Sequence, residues 1–235
     1  MKKISIVIPV FNEEQNITTL IKEIYIAIKN INIEFEIIII DDASTDNSNE
    51  LIKKLLKKKE YNIKLIENLN NRGQSYSLHK AIKHATYDTV VTLDGDGQNN
   101  PADIPNLVKL YFADNNLYLV GGIRNKRKDS LVKIFSSRIA NRIRKFILKD
   151  NCDDTGCSLK IFDKNIFLLF PFFDGIHRFL PALFKGYAKE TFFINVDHRK
   201  RIYGKSKYGT IKRLFKGIFD IIRVLKIINK FKNND

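Results

Sequence analysis

The chain has 235 residues, 44% hydrophobic and 29% charged, enough to bury a full core and too apolar for a disordered segment. Its net charge of +15 and pI near 9.7 favour a polyanionic partner: nucleic acid, an anionic membrane or a phosphorylated small molecule. Two cysteines, Cys152 and Cys157, exclude a disulfide framework and a four-thiolate zinc site, and the apolar run Ile166–Phe173 is too short to span a bilayer.

In chain order, strand and helix alternate through the first half. Ile4–Val10 predicts a strand, residues 13–30 a helix, Glu36–Ile40 a second strand, and Ser44 or Asp46 caps a helix reaching Lys58. Ile63–Ile66 predicts a third strand, Ser75–His84 a helix and Thr89–Leu93 a fourth strand. Near-continuous Ile/Val strands between helices imply a mostly parallel sheet covered on both faces, an α/β fold. Pro101 opens another helix, and Tyr118–Val120 is a fifth strand. The rhythm then changes to a basic helix over Ser130–Lys149, a strand over Thr191–Val196, a basic loop over Arg199–Gly209 and a closing helix from Thr210 to about Phe231. An α/β domain over residues 1–209 with a basic amphipathic helix over 210–235 is the economical division.

Ligands of such sheets bind beyond the carboxyl ends of the strands. The first strand ends in Pro9, Phe11, Asn12 and Glu13, the second in Asp41 and Asp42, and the fourth in Asp94, Gly95, Asp96, Gly97 and Gln98. Acids thus gather on one edge of a cationic protein. Two carboxylates converging on a glycine-loosened turn beside an amide suit a hard divalent cation, although a plain Gly/Asp turn is the competing reading of that stretch alone. No GxGxxG follows the first strand, Gly204-Lys205-Ser206 lacks the upstream glycine of a P-loop, no GxSxG occurs, and the four histidines show no metal-ligand spacing. A phosphoacceptor receiver would use Asp41 and Asp42 but has no need of the Asp-x-Asp-x-Gln cluster.

The segments VIPVFNEEQNI (Val7–Ile17), IIDDASTDNS (Ile39–Ser48), NRGQSYSLHKAI (Asn71–Ile82) and LDGDGQNNP (Leu93–Pro101) resemble the catalytic domain of family 2 glycosyltransferases with a GT-A fold. DTGCSLKIF (Asp154–Phe162), HRFLPALFK (His177–Lys185) and HRKRIYGKSKYG (His198–Gly209) are similar to the polyprenyl-phosphate branch, the dolichol-phosphate mannose synthase-like enzymes. The resemblance runs from Lys3 to about Lys226. It implies that Pro9, Phe11, Glu13 and Asp42 hold the nucleoside of a GDP- or UDP-sugar, with Ile40 lining the base pocket. Asp94, Gly95 and Asp96 match the Asp-x-Asp motif, and Asp96 with Gln98 would ligate Mg²⁺ or Mn²⁺. Arg124, Lys133, Arg201 and Lys207 are expected on the donor phosphates, with Arg201 also catalytic. Ser137, Arg138, Asp154, His177 and Arg178 are expected on the acceptor. The implied reaction is one inverting displacement onto a polyprenyl phosphate, whose oxygen is already anionic and needs no general base. A glycan or lipid-linked saccharide hydroxyl is the alternative acceptor, with Asp153 or Asp154 as base; a non-catalytic basic membrane- or nucleic-acid-binding module is the second alternative.

In the closing helix Ile211, Leu214, Phe215, Ile218, Ile222, Leu225 and Ile228 are expected on one side and Lys212, Arg213, Lys216, Arg223, Lys226 and Lys230 opposite. Such a helix suits an anionic membrane surface. Relatives of the resembled branch often continue into transmembrane helices, so peripheral binding, an integral-membrane partner or a further segment is expected here. With no secretory signal in the opening residues, the expected location is cytoplasmic, at the inner face of the membrane, with no nucleic-acid partner.

Overall fold

Isoleucine and valine runs tolerate apolar surroundings on both faces of a strand, and the computed structural model of the protein seats them at the centre of a seven-stranded sheet. It describes residues 2–58, 60–125, 141–201 and 210–233, without the side chains of 210–216. Strands β1 (Lys3–Val10), β2 (Glu34–Asp41), β3 (Ile63–Glu67) and β4 (Thr89–Thr92) pair in parallel in the spatial order β3-β2-β1-β4. Helices α1 (Ile17–Ile28), α2 (Ser48–Lys57) and α3 (Gln74–Lys83) make the crossovers. Beyond β4 the order is β6 (Lys160–Asp163), β5 (Leu117–Arg124) and β7 (Glu190–Val196), with β6 antiparallel to both its neighbours and β7 parallel to β5.

One antiparallel strand between β4 and β5 leaves those two running the same way. The carboxyl ends of β1, β2, β4, β5 and β7 therefore open onto a single edge, where the amino end of β6 joins them. Two apolar cores lie on the two faces. Ile4, Ile6 and Ile8 pack under α1, α2 and α4 (Ile104–Tyr111), whereas Val7, Ile38, Ile40 and Phe162 pack under α3, α6 (Lys164–Leu169), α7 (Leu180–Gly186) and α8 (Thr210–Lys232). Each fully buried isoleucine contributes roughly 2 kcal/mol of transfer free energy, so this sheet is a stiff platform for its edge.

Several expected boundaries move for local reasons. The first helix begins at Ile17 rather than at residue 13, because the amides of Asn16 and Ile17 both donate to the Glu13 carbonyl at 2.9 Å. The second begins at Ser48: Asp46 Oδ1 accepts from the Ser48 amide, while the Ser44 hydroxyl turns back to donate to Asp41. Strand β6 and helices α6 and α7 were not expected. Of the helix expected over Ser130–Lys149, residues 130–140 lie outside the described part, and 141–148 are helical (α5).

The closing helix α8 shares the second core. Val224 is fully buried, Ile228 nearly so, and the Phe231 ring stacks on Tyr187 with centroids 3.8 Å apart. The expectation of one common apolar side is corrected here. Ile218 and Ile222 are 53% and 48% exposed, and neighbouring Phe219 is 70% exposed. Ten residues fall about 80° short of three full turns at 3.6 residues per turn, so Ile218 cannot face the core that Ile228 enters. The side chains of Ile211, Lys212, Arg213, Leu214, Phe215 and Lys216 lie outside the description. No helix among the described residues is long and apolar enough to cross a membrane.

Candidate active site

A cavity of about 460 Å³ opens at the shared strand edge. Pro9, Phe11, Glu13, Asp42, Asp94, Gly95, Asp96, Gln98, Arg124, His177, Arg178 and Arg201 all line it, so the structure unites residues spread over nearly two hundred positions of sequence.

Asp42, one residue past β2, is almost fully buried. Its Oδ1 accepts from Asn68 Nδ2 and the Arg72 amide, and its Oδ2 from the Gly73 amide, each at 2.8 Å. Three donors fix this carboxylate and stabilise its charge. Glu13 is likewise buried, with its amide donating to Ser48 Oγ and its Oε2 accepting from Asn16 Nδ2, both at 2.8 Å. Ile40 does not line the pocket: it is fully buried in the second core, on the face covered by α3. In a parallel strand with both faces buried, every position is apolar, and the pattern does not tell which side a residue takes.

The acid pair lies at the end of β4. A Cβ on Gly95 would stand 3.0 Å from the Pro9 carbonyl oxygen and 3.2 Å from Val10 Cγ2, so glycine lets this turn lie against the end of β1. Gln74 Nε2 donates to Asp94 Oδ1 at 2.7 Å, and the Asp94 amide donates to Ser158 Oγ at 3.2 Å. Burial first, then the adjacent Asp96 carboxylate, pushes the Asp94 carboxyl up to about 6, against the pull of Ser158, Lys160 and Arg124. Asp96 Oδ1 accepts from the Gln98 amide at 3.0 Å, and Arg201 Nη2 donates to its Oδ2.

β7 delivers the opposing groups. Asn99 bridges to His198, and the Arg199 amide donates to the Gln98 carbonyl at 2.8 Å. This stitch brings His198 Nε2 within 3.3 Å of Gln98 Nε2. Among the described residues no three His, Cys, Asp or Glu side chains are gathered as a metal cluster. Asp96 and Gln98 nevertheless offer a carboxylate and an amide oxygen, with the His198 imidazole adjacent. That mixed O/N set fits Mn²⁺ or Mg²⁺ chemistry.

Arg124, at the end of β5, is clamped by Asp154 through Nε–Oδ2 at 2.6 Å and Nη2–Oδ1 at 2.7 Å. Asp154, expected on the acceptor or as a base, stands here as the partner that aims Arg124, because both its oxygens take the guanidinium fork. Asp153 is exposed and pairs with Lys145 at 2.5 Å. His177 Nδ1 lies 2.7 Å from Ser75 Oγ, and Arg178 Nη2 lies 3.0 Å from Asp220 Oδ2 on α8. Lys133, Ser137, Arg138 and Lys207 lie outside the described residues.

Sequence reasoning missed His198, Gln74, Ser158 and Lys160. Lys160 is nearly fully buried, lines the cavity and donates to the carbonyls of Thr155 and Cys157, so it holds the loop that carries Asp154 and Ser158. Its signal was a lone lysine at the head of a short apolar run. For His198 the signal was its place at the head of the basic motif.

Comparison with known proteins agrees with this geometry. Residues 5–170 match the family model described as glycosyl transferase family 2. The undecaprenyl-phosphate 4-deoxy-4-formamido-L-arabinose transferase of Yersinia pestis (strain Pestoides F) is 34% identical over 225 residues, 96% of this chain and 68% of the relative. The protein of the same name from Yersinia enterocolitica gives the same figures. Among solved structures, glucosyl-3-phosphoglycerate synthase from Mycobacterium tuberculosis, in complex with Mn²⁺, uridine diphosphate and glucosyl-3-phosphoglycerate, superposes with a TM-score of 0.69 at 16% identity. The match covers 95% of this chain and 78% of that one, and carries the fold. With most of its length matched by the family model and a third of its residues shared with curated transferases, the chain belongs to glycosyl transferase family 2.

Proposed function

We propose that this glycosyltransferase moves a sugar from a uridine diphosphate sugar to the phosphate of a polyprenyl phosphate, inverting the anomeric carbon. The observation that carries the reading is the Asp96 carboxylate, shared by the Gln98 amide and the Arg201 guanidinium in a cavity also lined by Arg124, His177 and Arg178. Arg178 and His177 line that cavity beside Arg124 and Arg201, and the phosphate of an acceptor is a ligand such groups would meet. The Yersinia relatives are named for undecaprenyl-phosphate acceptors, which supports the same reading.

Asp42 favours uracil as the base. Its Oδ1 already accepts two hydrogen bonds and Oδ2 one, leaving room for the single N3–H of uracil rather than the paired N–H groups of guanine. Solved neighbours of this fold hold uridine diphosphate, in agreement.

Asp96, Gln98 and His198 would hold a divalent cation, which supplies Lewis acidity toward a departing diphosphate. Arg201 leaves Asp96 to meet the diphosphate as negative charge builds there. Arg124, aimed by Asp154, adds a second guanidinium. An acceptor phosphate oxygen, already anionic, forms the new bond to the anomeric carbon as the bond to the diphosphate breaks, and no side chain has to remove a proton. The membrane that carries such an acceptor would meet the outer face of α8, where exposed Ile218, Phe219 and Ile222 stand among exposed Arg223, Lys226 and Lys230.

A panel of nucleotide sugars with Mg²⁺ or Mn²⁺ and undecaprenyl phosphate, scored for nucleoside diphosphate release, tests the reading. Acceptor-dependent release of UDP from one donor is expected. Release only with a glycan hydroxyl acceptor, or none from any donor, would refute it.

A further inference from the structure

The closing helix carries a carboxylate where packing alone calls for an apolar side chain. Asp220 is 2% exposed, one turn before the fully buried Val224. A buried charge is strongly disfavoured unless neighbours hold it, so its partners explain its presence. Oδ2 meets Arg178 Nη2 at 3.0 Å, and Oδ1 lies 3.6 Å from Arg223 Nη1. Arg178 in turn lines the cavity.

The contact is built into the backbone. Gly175 has φ 116°, and a Cβ there would stand 2.9 Å from both Arg178 Nη2 and Asp220 Oδ2. The Gly175 amide donates to Ser75 Oγ at 2.7 Å, and the same oxygen lies 2.7 Å from His177 Nδ1. The residue before Ser75 is Gln74, which donates to Asp94. Hydrogen bonds and neighbouring residues of the chain thus connect the inner face of α8 to the His177–Arg178 wall of the cavity. On the opposite side of α8, Phe219 projects outward beside Asp220.

We propose that Asp220 is a positioning residue for the acceptor. It fixes the Arg178 guanidinium in the cavity wall, so that the phosphate of a polyprenyl phosphate is gripped only with α8 seated. The proposal rests on the acceptor reading above. Removing the charge removes the orientation of Arg178 and leaves the donor half of the cavity, built on β1, β2 and β4, untouched.

Steady-state kinetics of Asp220→Asn with undecaprenyl phosphate test it. The acceptor KM should rise about tenfold, with donor KM and kcat within about twofold of wild type. In the double variant with Arg178→Gln, acceptor KM should be no worse than in Arg178→Gln alone, whereas additive losses would mean that Asp220 acts only through general stability and would overturn the proposal. Hydrogen exchange supplies a readout independent of turnover: the amides of residues 175–180 should exchange faster in Asp220→Asn, and unchanged exchange overturns the proposal. If Asp220→Asn folds poorly, Arg178→Lys keeps both charges without the fork, and an unaltered acceptor KM there is equally fatal. A wild type that turns over only with a non-phosphate acceptor sinks the underlying reading instead, which separates the two failures.

Discussion

Arg201 Nη2 donates to Asp96 Oδ2, so a cation carried just past β7 closes on the acid at the end of β4, 105 residues away in sequence. A divalent cation held by Asp96 would therefore compete with this guanidinium for one carboxylate oxygen. Arg201→Gln is expected to tighten Mn²⁺ binding to the nucleotide-free enzyme severalfold while lowering kcat by about 10²-fold, the usual cost of losing one charge-stabilising donor. Calorimetry with Mn²⁺ alone, beside turnover, checks both halves. Weaker Mn²⁺ binding in the variant would contradict the competition.

Asp42 accepts from three protein donors and lines the cavity. Asp42→Asn replaces acceptor capacity with a donor, and UDP affinity should fall about ten- to a hundredfold, the span of one charge-assisted hydrogen bond. Titration calorimetry with UDP and GDP measures it. Equal wild-type affinity for the two nucleotides would count against the uracil assignment.

The raised carboxyl of Asp94 has a stability consequence. Its folded value of about 6 lies above the ordinary 3.8, so its contribution is fully favourable below about pH 4 and is lost as pH rises through 6. Asp94→Asn should therefore raise the thermal midpoint of the metal-free protein by a few degrees at neutral pH, with the gain shrinking as pH falls toward 4. Melting curves across that range in chelator decide it; a variant less stable than wild type at neutral pH would contradict the assignment.

Asp154 spends both oxygens on Arg124. Asp154→Asn is expected to weaken donor affinity about tenfold through a misplaced Arg124 and to leave the shape of the pH–rate profile as it was. Loss of the acidic limb of that profile would instead identify Asp154 as a general base.

The parallel half of the sheet was legible because Ile/Val runs such as Ile4–Val10 and Ile37–Ile40 can only be strands buried on both faces, and their polar ends marked the ligand edge. The same uniformity hid which way Ile40 points. Strand β6 escaped notice because it is four residues long and opens with Lys160, a charge that reads as surface until the carbonyls of Thr155 and Cys157 enclose it. His198 is a ligand-edge residue only by virtue of the Asn99–His198 bridge, a contact between positions that no local pattern links. In α8 the amphipathic spacing was readable, but which apolar side chains enter the core depends on where Phe231 and Val224 find Tyr187 and α7.

Transfer of a sugar onto a lipid phosphate is expected to depend on Asp96. Mass spectrometry of the lipid fraction after incubation with UDP-sugars, Mn²⁺ and undecaprenyl phosphate tests it most directly, with the anomeric configuration read by NMR. A polyprenyl-phosphate sugar of inverted configuration, formed by wild type and lost in Asp96→Ala, is the expected product. A retained configuration, or equal product from Asp96→Ala, would contradict the account.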